Sequence, residues 1–168
     1  MESTRARDTL VAIGAPALVG ACLGIPFGAA ALAQTALALP AIFVGVGLLM
    51  TPALYIAAAF LGAAPSASEV AAAAGSTLKN AGVILLGLTP ALAFLVATTN
   101  RPGTVLLLAH GVVGLTAVLA LGMLFRRLFR RPDGAAACGK LRVSALFLAW
   151  SAVTLGLGWR MLLSTLGA

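Results

Sequence analysis

The longest charge-free stretch of the chain constrains its fold more than any other feature. From Thr9 to Ser68 the sequence contains no Lys, Arg, Asp, Glu or His. A single helix over this stretch would be about 90 Å long, whereas the hydrocarbon core of a bilayer is about 30 Å thick. The stretch is therefore too long for one span, and it is too apolar for a soluble domain. It predicts two transmembrane helices folded back as a hairpin, with a turn near Gln34 and Thr35.

The rest of the chain follows the same pattern. Hydrophobic residues make up 61% of the sequence and charged residues 9%, against about 45–50% and about 25% in soluble proteins. The apolar residues also come in blocks of about twenty or more, which is typical of membrane spans. We therefore predict an all-α integral membrane bundle, a single domain over residues 1–168, with five spans at about 11–33, 37–61, 80–99, 104–125 and 143–163.

Between the second and third spans the sequence predicts a short surface helix over about 67–79. Ser66 and Glu69 have the spacing of a capping box, in which each side chain bonds the other residue's backbone N–H. Most of this segment is alanine and its amphipathicity is weak, so we interpret it as a helical linker at the membrane surface.

The first span has an alternative interpretation. Positive residues, an apolar segment and Ala31-Leu32-Ala33 before Gln34 also resemble a secretory signal with its cleavage site. The apolar segment is longer than the usual 7–15 residues of such signals, which favours a retained helix. Cleavage would leave four spans in the same orientation.

The positive charges predict the orientation of the bundle. Nine of the eleven Lys and Arg residues fall on one side of the five-span arrangement, and only Arg101 and Arg160 fall on the other. Cytoplasmic segments of membrane proteins carry the excess of Lys and Arg. The N-terminus is therefore expected inside and the C-terminus outside, in a bacterial inner membrane.

Three glycines in the first span form a ladder with a spacing of four: Gly20, Gly24 and Gly28. This spacing places them on one helix face, where the missing side chains allow another backbone to approach closely. The face either packs inside this bundle or docks a partner or a second copy, and we favour packing inside the bundle.

His110 is the only histidine and lies inside the fourth span. An ionisable residue within a membrane is a candidate functional residue, but no carboxylate in the spans accompanies this one. We therefore favour a neutral histidine that forms a hydrogen bond within the bundle, over a proton relay or the axial ligand of a haem or pigment.

A basic cytoplasmic loop is predicted over about 126–142. Basic residues near a membrane surface attract anionic lipid, at about 1 kcal/mol each. The loop either sets the topology alone or also contacts anionic lipid or an acidic partner. Its basic residues are Arg126, Arg127, Arg130, Arg131, Lys140 and Arg142.

The sequence gives no sign of catalytic chemistry. The four acidic residues lie outside the predicted spans, and no nucleophile elbow, zinc-binding helix motif or phosphate loop is present. Cys22 lies inside the first apolar helix and Cys138 in the basic loop, so the two cannot meet without one crossing the bilayer core, and they predict neither a disulfide nor a metal site. No cofactor is expected. The basic residues lie in the segments between the apolar blocks, where they set the membrane topology, so nucleic-acid binding is not predicted.

Several short proline-centred patterns lie between about residues 39 and 125. They are Leu39-Pro40, Thr51-Pro52-Ala53-Leu54-Tyr55, Gly62, Ser66–Val70 and Leu88-Thr89-Pro90. Together they resemble the Yip1-type family of small polytopic membrane proteins, in a bacterial form. The resemblance implies five spans with a cytoplasmic start, and a non-enzymatic protein that organises or binds others.

These features together predict a non-enzymatic accessory or scaffold protein of the inner membrane. Its expected partners are the lipid bilayer, including anionic lipid, and other membrane proteins or a second copy. The alternative is a small transporter or channel with a pore lined by proline-broken helices.

Overall fold

The computed structural model describes residues 2–60, 66–99, 101–129 and 137–166, and all of its regular structure is helical. Five helices are long and apolar enough to cross a membrane, which confirms the predicted all-helical class and the number of candidate spans. They are α1 (Glu2–Gly24), α2 (Ala29–Phe60), α3 (Ala67–Thr98), α4 (Pro102–Phe129) and α5 (Ala137–Leu166).

The turn between α1 and α2 lies earlier than predicted. It consists of a single 3-10 turn, Ile25–Phe27, followed by Gly28. Gly28 has a φ of 95°, a conformation that suits glycine because it lacks a Cβ. The prediction of a turn near Gln34 and Thr35 is therefore wrong: α1 ends at Gly24 and not at residue 33, and α2 begins at Ala29 and not at residue 37.

α3 is one continuous helix of 32 residues, where the sequence predicted a surface helix over 67–79 and a separate span over 80–99. No residue near Lys79 or Asn80 breaks the helix, so the polar pair alone does not end it. The predicted capping box at its start is confirmed, because the Glu69 N–H donates to Ser66 Oγ at 3.3 Å and the Ser66 N–H donates to Glu69 Oε2 at 2.8 Å.

Four prolines lie inside helices without interrupting them: Pro16, Pro40, Pro52 and Pro90. Before two of these, a threonine hydroxyl donates to a carbonyl of the preceding turn. Thr51 bonds Gly47 O at 2.6 Å and Thr89 bonds Leu85 O at 2.7 Å. Such bonds bend a helix slightly.

The helices form a closed ring in the order α1, α2, α5, α4, α3. α1 packs closely on α2 and α3, α3 packs on α4, and α2 packs on α5. α4 and α5 contact each other least among these neighbours. Inside the ring, the main core includes Val19, Leu23, Leu39, Leu85, Leu92, Val105, Ala109 and Leu162.

Large apolar side chains also cover the outer surface of the ring. Leu48, Leu107 and Leu148 are 72%, 74% and 68% exposed. A soluble monomer rarely exposes apolar patches of this extent, and a membrane protein presents them to lipid.

Candidate functional sites at the basic end and in the bundle

One end of the bundle carries most of its charged residues. We call it the basic end and define it by Arg7, Lys79, Arg126, Arg127 and Arg142. α1, α3 and α5 begin near it, and α2 and α4 end near it. Two contacts between helices fix this arrangement. Lys79 Nζ forms an ion pair with Asp8 at 2.7 Å, and the Arg127 guanidinium donates to Ser76 Oγ.

The predicted basic residues divide into two groups. The side chains of Arg126, Arg127 and Arg142 are exposed at the basic end. Arg130 and Arg131 lie outside the described residues, as does the side chain of Lys140. α4 continues to Phe129 and α5 begins at Ala137, so the connection is shorter than the predicted loop over 126–142.

A second, smaller core lies below the basic end and joins four helices. Leu54, Ala73, Leu124 and Phe147 are buried there, one from each of α2 to α5. Nearby, the Trp150 indole N–H donates to the Met50 carbonyl at 3.0 Å and links α5 to α2. These contacts hold the arginine-bearing ends of α4 and α5 at fixed positions relative to α2 and α3.

Gly20 and Gly24 pack against α2 of the same chain. A Cβ added at Gly20 would collide with the Thr35 carbonyl, and one at Gly24 would collide with the Leu32 backbone. The buried Thr35 hydroxyl donates to Gly20 O at 2.6 Å. Gly28 lies in the turn, where an added Cβ would meet no atom within 4 Å. Gly20 and Gly24 therefore form the contact between α1 and α2 within this chain, and the Thr35 hydrogen bond is part of that contact.

His110 lies on α4 and is 8% exposed. Its Nδ1 is 2.7 Å from the Leu106 carbonyl oxygen, so Nδ1 carries the proton of that hydrogen bond. Its Nε2 is fully buried and has no hydrogen-bond partner among the described residues. The expected hydrogen bond within the bundle is present at one nitrogen only. Leaving the other polar atom unpaired costs about 1–3 kcal/mol.

The ring of His110 packs against Trp159 of α5. The ring centroids are 4.3 Å apart and the planes are inclined by 55°. Trp159 is itself 49% exposed, so one side of the indole covers the histidine while another remains open. No pattern in the sequence predicts this contact, because the two residues are far apart in the chain.

Among the described residues, no group of three or more His, Cys, Asp or Glu side chains is placed to hold a metal ion. The half-buried Cys22 is a free thiol in α1. Comparisons of the chain with protein-family models, curated proteins and solved structures found no match.

Proposed function

We propose that this chain is a non-enzymatic, multi-pass protein of a bacterial inner membrane, with its N-terminus inside and its C-terminus outside. In this proposal it acts as an accessory or scaffold protein that binds anionic lipid and partner membrane proteins through its basic end. The observation that carries the proposal is the exposed arginine group Arg126, Arg127 and Arg142 on a rigidly packed end of an otherwise apolar bundle.

The length of α3 supports a membrane boundary near the ion pair of Asp8 and Lys79. From Lys79 to Thr98 the helix rises about 28 Å, which matches the hydrocarbon thickness of about 30 Å. The first turns of α3 then extend about 18 Å beyond that boundary, together with the ends of α2 and α4. Such an extension gives the basic end a folded surface among the headgroups and in the cytoplasm.

The charge balance of the basic end favours an anionic partner. The two acidic side chains described near it are already engaged, Asp8 with Lys79 and Glu69 with its helix start. Three exposed arginines at about 1 kcal/mol each would enrich anionic over neutral lipid by about 100-fold at that site.

The test measures lipid selectivity by fluorescence quenching in reconstituted membranes. All proteins compared carry Trp159→Phe, so that Trp150 beside the second core is the only tryptophan, and brominated acyl chains quench an indole on contact. We expect brominated phosphatidylglycerol to outcompete phosphatidylcholine at the basic end of the protein with all its arginines. Replacing Arg126, Arg127 and Arg142 by Gln should remove most of that preference. Replacing Arg101 and Arg160 by Gln is the matched control and should leave it unchanged. Equal selectivity in the two variants would contradict the proposal.

The scaffold role has a separate test. Purification in mild detergent should recover a partner membrane protein in stoichiometric amount, and the triple Gln variant should lose it. The alternative role, a transporter or channel, predicts solute flux across proteoliposomes that contain this chain alone. The prolines that could break helices in such a pore are Pro16, Pro26, Pro52 and Pro90. Pro26 lies in the turn between α1 and α2, and the helices continue through the other three.

Membership of the Yip1-type family is a proposal of the same kind. Its support is the number of helices and the positions of Thr51-Pro52 and Thr89-Pro90 within α2 and α3. The expected role of that family, binding and organising other membrane proteins, agrees with the scaffold proposal.

A further inference from the structure

The unpaired nitrogen of His110 defines the chemistry of any molecule that binds beside it. Since Nδ1 donates its proton to the Leu106 carbonyl, the ring in its neutral form presents a lone pair at Nε2. A partner for Nε2 must therefore bring a hydrogen-bond donor. No described side chain supplies one, because the buried Nε2 has no partner among the described residues.

The depth of His110 restricts how such a molecule can arrive. His110 lies eight residues beyond the start of α4 at Pro102, which is about 12 Å along the helix axis. The residue before it, Ala109, belongs to the main apolar core, as does Val105 one turn earlier on α4. A ligand that reaches this depth from the outer surface of the bundle passes through lipid, so it is itself lipid-soluble.

The contact between α4 and α5 offers an entry point. These two helices make the least extensive contact of the ring, and the pair of His110 and Trp159 lies in that contact. Because about half of the Trp159 surface is exposed, a flat aromatic ring can stack on the indole from outside.

We propose that His110 and Trp159 form a binding site for a lipid-soluble phenol of the hydroquinone class. One hydroxyl of the ligand donates to His110 Nε2, its ring stacks on Trp159, and its apolar tail lies along the outer surface of α4 and α5. An aliphatic alcohol would satisfy Nε2 without the stacking, and a simple aromatic hydrocarbon would stack without satisfying Nε2. The proposal concerns binding only, and no electron transfer is included.

The single histidine makes a direct test practical. Protein made with ¹⁵N-labelled histidine and an affinity tag without histidine gives ring signals from His110 alone. Adding a short-tailed benzohydroquinone to the purified protein in detergent should shift the Nε2 signal upfield, because that nitrogen accepts a new hydrogen bond. The Nδ1 signal should change little. The dimethyl ether of the same compound has no donor and should leave Nε2 unchanged. Equal responses to the two compounds, or none to the hydroquinone, would overturn the proposal.

A fluorescence titration gives the affinity. In a Trp150→Phe background, Trp159 is the only tryptophan, so saturable quenching reports on stacking at this site. The hydroquinone should bind about tenfold more tightly than its dimethyl ether, which is the worth of one hydrogen bond to a buried acceptor. In the His110→Phe variant the two compounds should bind equally.

Thr116→Val provides the matched control, because Thr116 is also buried on α4 but already donates to Val112 O at 2.8 Å. It should keep the tenfold preference. If His110→Phe does not fold, the comparison of the two compounds on the protein with His110 still decides the question. Quenching without saturation, or equal affinity for both compounds on that protein, contradicts the proposal.

Discussion

The contact between α1 and α2 gives the sharpest test of the packing, through one substitution made at two positions of the same helix. Gly20→Ala places a methyl group against the Thr35 carbonyl, which is backbone and has no rotamer to move aside. Gly14→Ala adds the same group where no atom lies within 4 Å. The two variants have identical composition, so intrinsic helix propensity cancels between them.

The magnitude follows from three effects. Overpacking a close contact costs about 1–3 kcal/mol, and loss of the hydrogen bond from Thr35 to Gly20 costs about 0.6 kcal/mol within a membrane. The higher helix propensity of alanine offsets up to about 1 kcal/mol of these costs. Gly20→Ala should therefore lower the free energy of unfolding by about 0.5–2.5 kcal/mol, while Gly14→Ala raises it by up to about 1 kcal/mol.

The assay is reversible unfolding by SDS in mixed micelles, followed by tryptophan fluorescence and circular dichroism. Thr35→Val serves as a third variant and should cost about 0.6 kcal/mol alone. Combined with Gly20→Ala it should cost less than the sum, because both changes remove the same hydrogen bond. If Gly20→Ala is as stable as Gly14→Ala, the close approach of α1 and α2 is refuted.

Three further predictions use the same unfolding assay. Asp8→Asn and Lys79→Gln should show a coupling energy of about 0.2–1 kcal/mol in a double-mutant cycle, since the two side chains are 39% and 41% exposed. A coupling energy well above that range would place the ion pair within the hydrocarbon and contradict the proposed membrane boundary. Gly82→Ala should destabilise by up to about 2 kcal/mol, because the cost of its methyl group meeting the Val11 carbonyl exceeds the gain in helix propensity, whereas Gly87→Ala should not. Trp150→Phe keeps an aromatic ring but loses the hydrogen bond to Met50 O, so the free energy of unfolding should fall by about 0.5–1.5 kcal/mol. A change outside that range would contradict the role of this bond in linking α5 to α2.

The sequence was sufficient to predict the number and the class of the helices, because long apolar blocks separated by charges have few alternative folds in lipid. It misplaced the first turn. Gln34 and Thr35 are polar, and their polarity suggested a loop. Inside the bundle, however, the Thr35 hydroxyl donates a hydrogen bond to the Gly20 carbonyl. Pro26 and Gly28 were the better signal, since one lacks an N–H and the other has a positive φ.

The candidate sites depended on contacts between distant segments, which local patterns do not contain. His110 was identified from its residue type and depth alone. Its contact with Trp159 and its unpaired Nε2 follow from how α4 and α5 pack, and no spacing in the sequence encodes that. Likewise, the pairing of Asp8 with Lys79 required the close approach of α1 and α3, which Gly82 permits.

The central claim is that a bilayer surrounds these five helices, with the basic end inside the cell. The most direct test is cysteine labelling, after replacing Cys22 by Ala and Cys138 by Ser. Single cysteines are then introduced by Ser68→Cys, at the basic end, and by Gly103→Cys, at the opposite end, where both positions are exposed. In bacteria whose outer membrane has been permeabilised, an impermeant maleimide should label the Gly103→Cys variant and reach the Ser68→Cys variant only after the inner membrane is opened. Labelling of both variants before opening, or of the Ser68→Cys variant alone, would contradict the account.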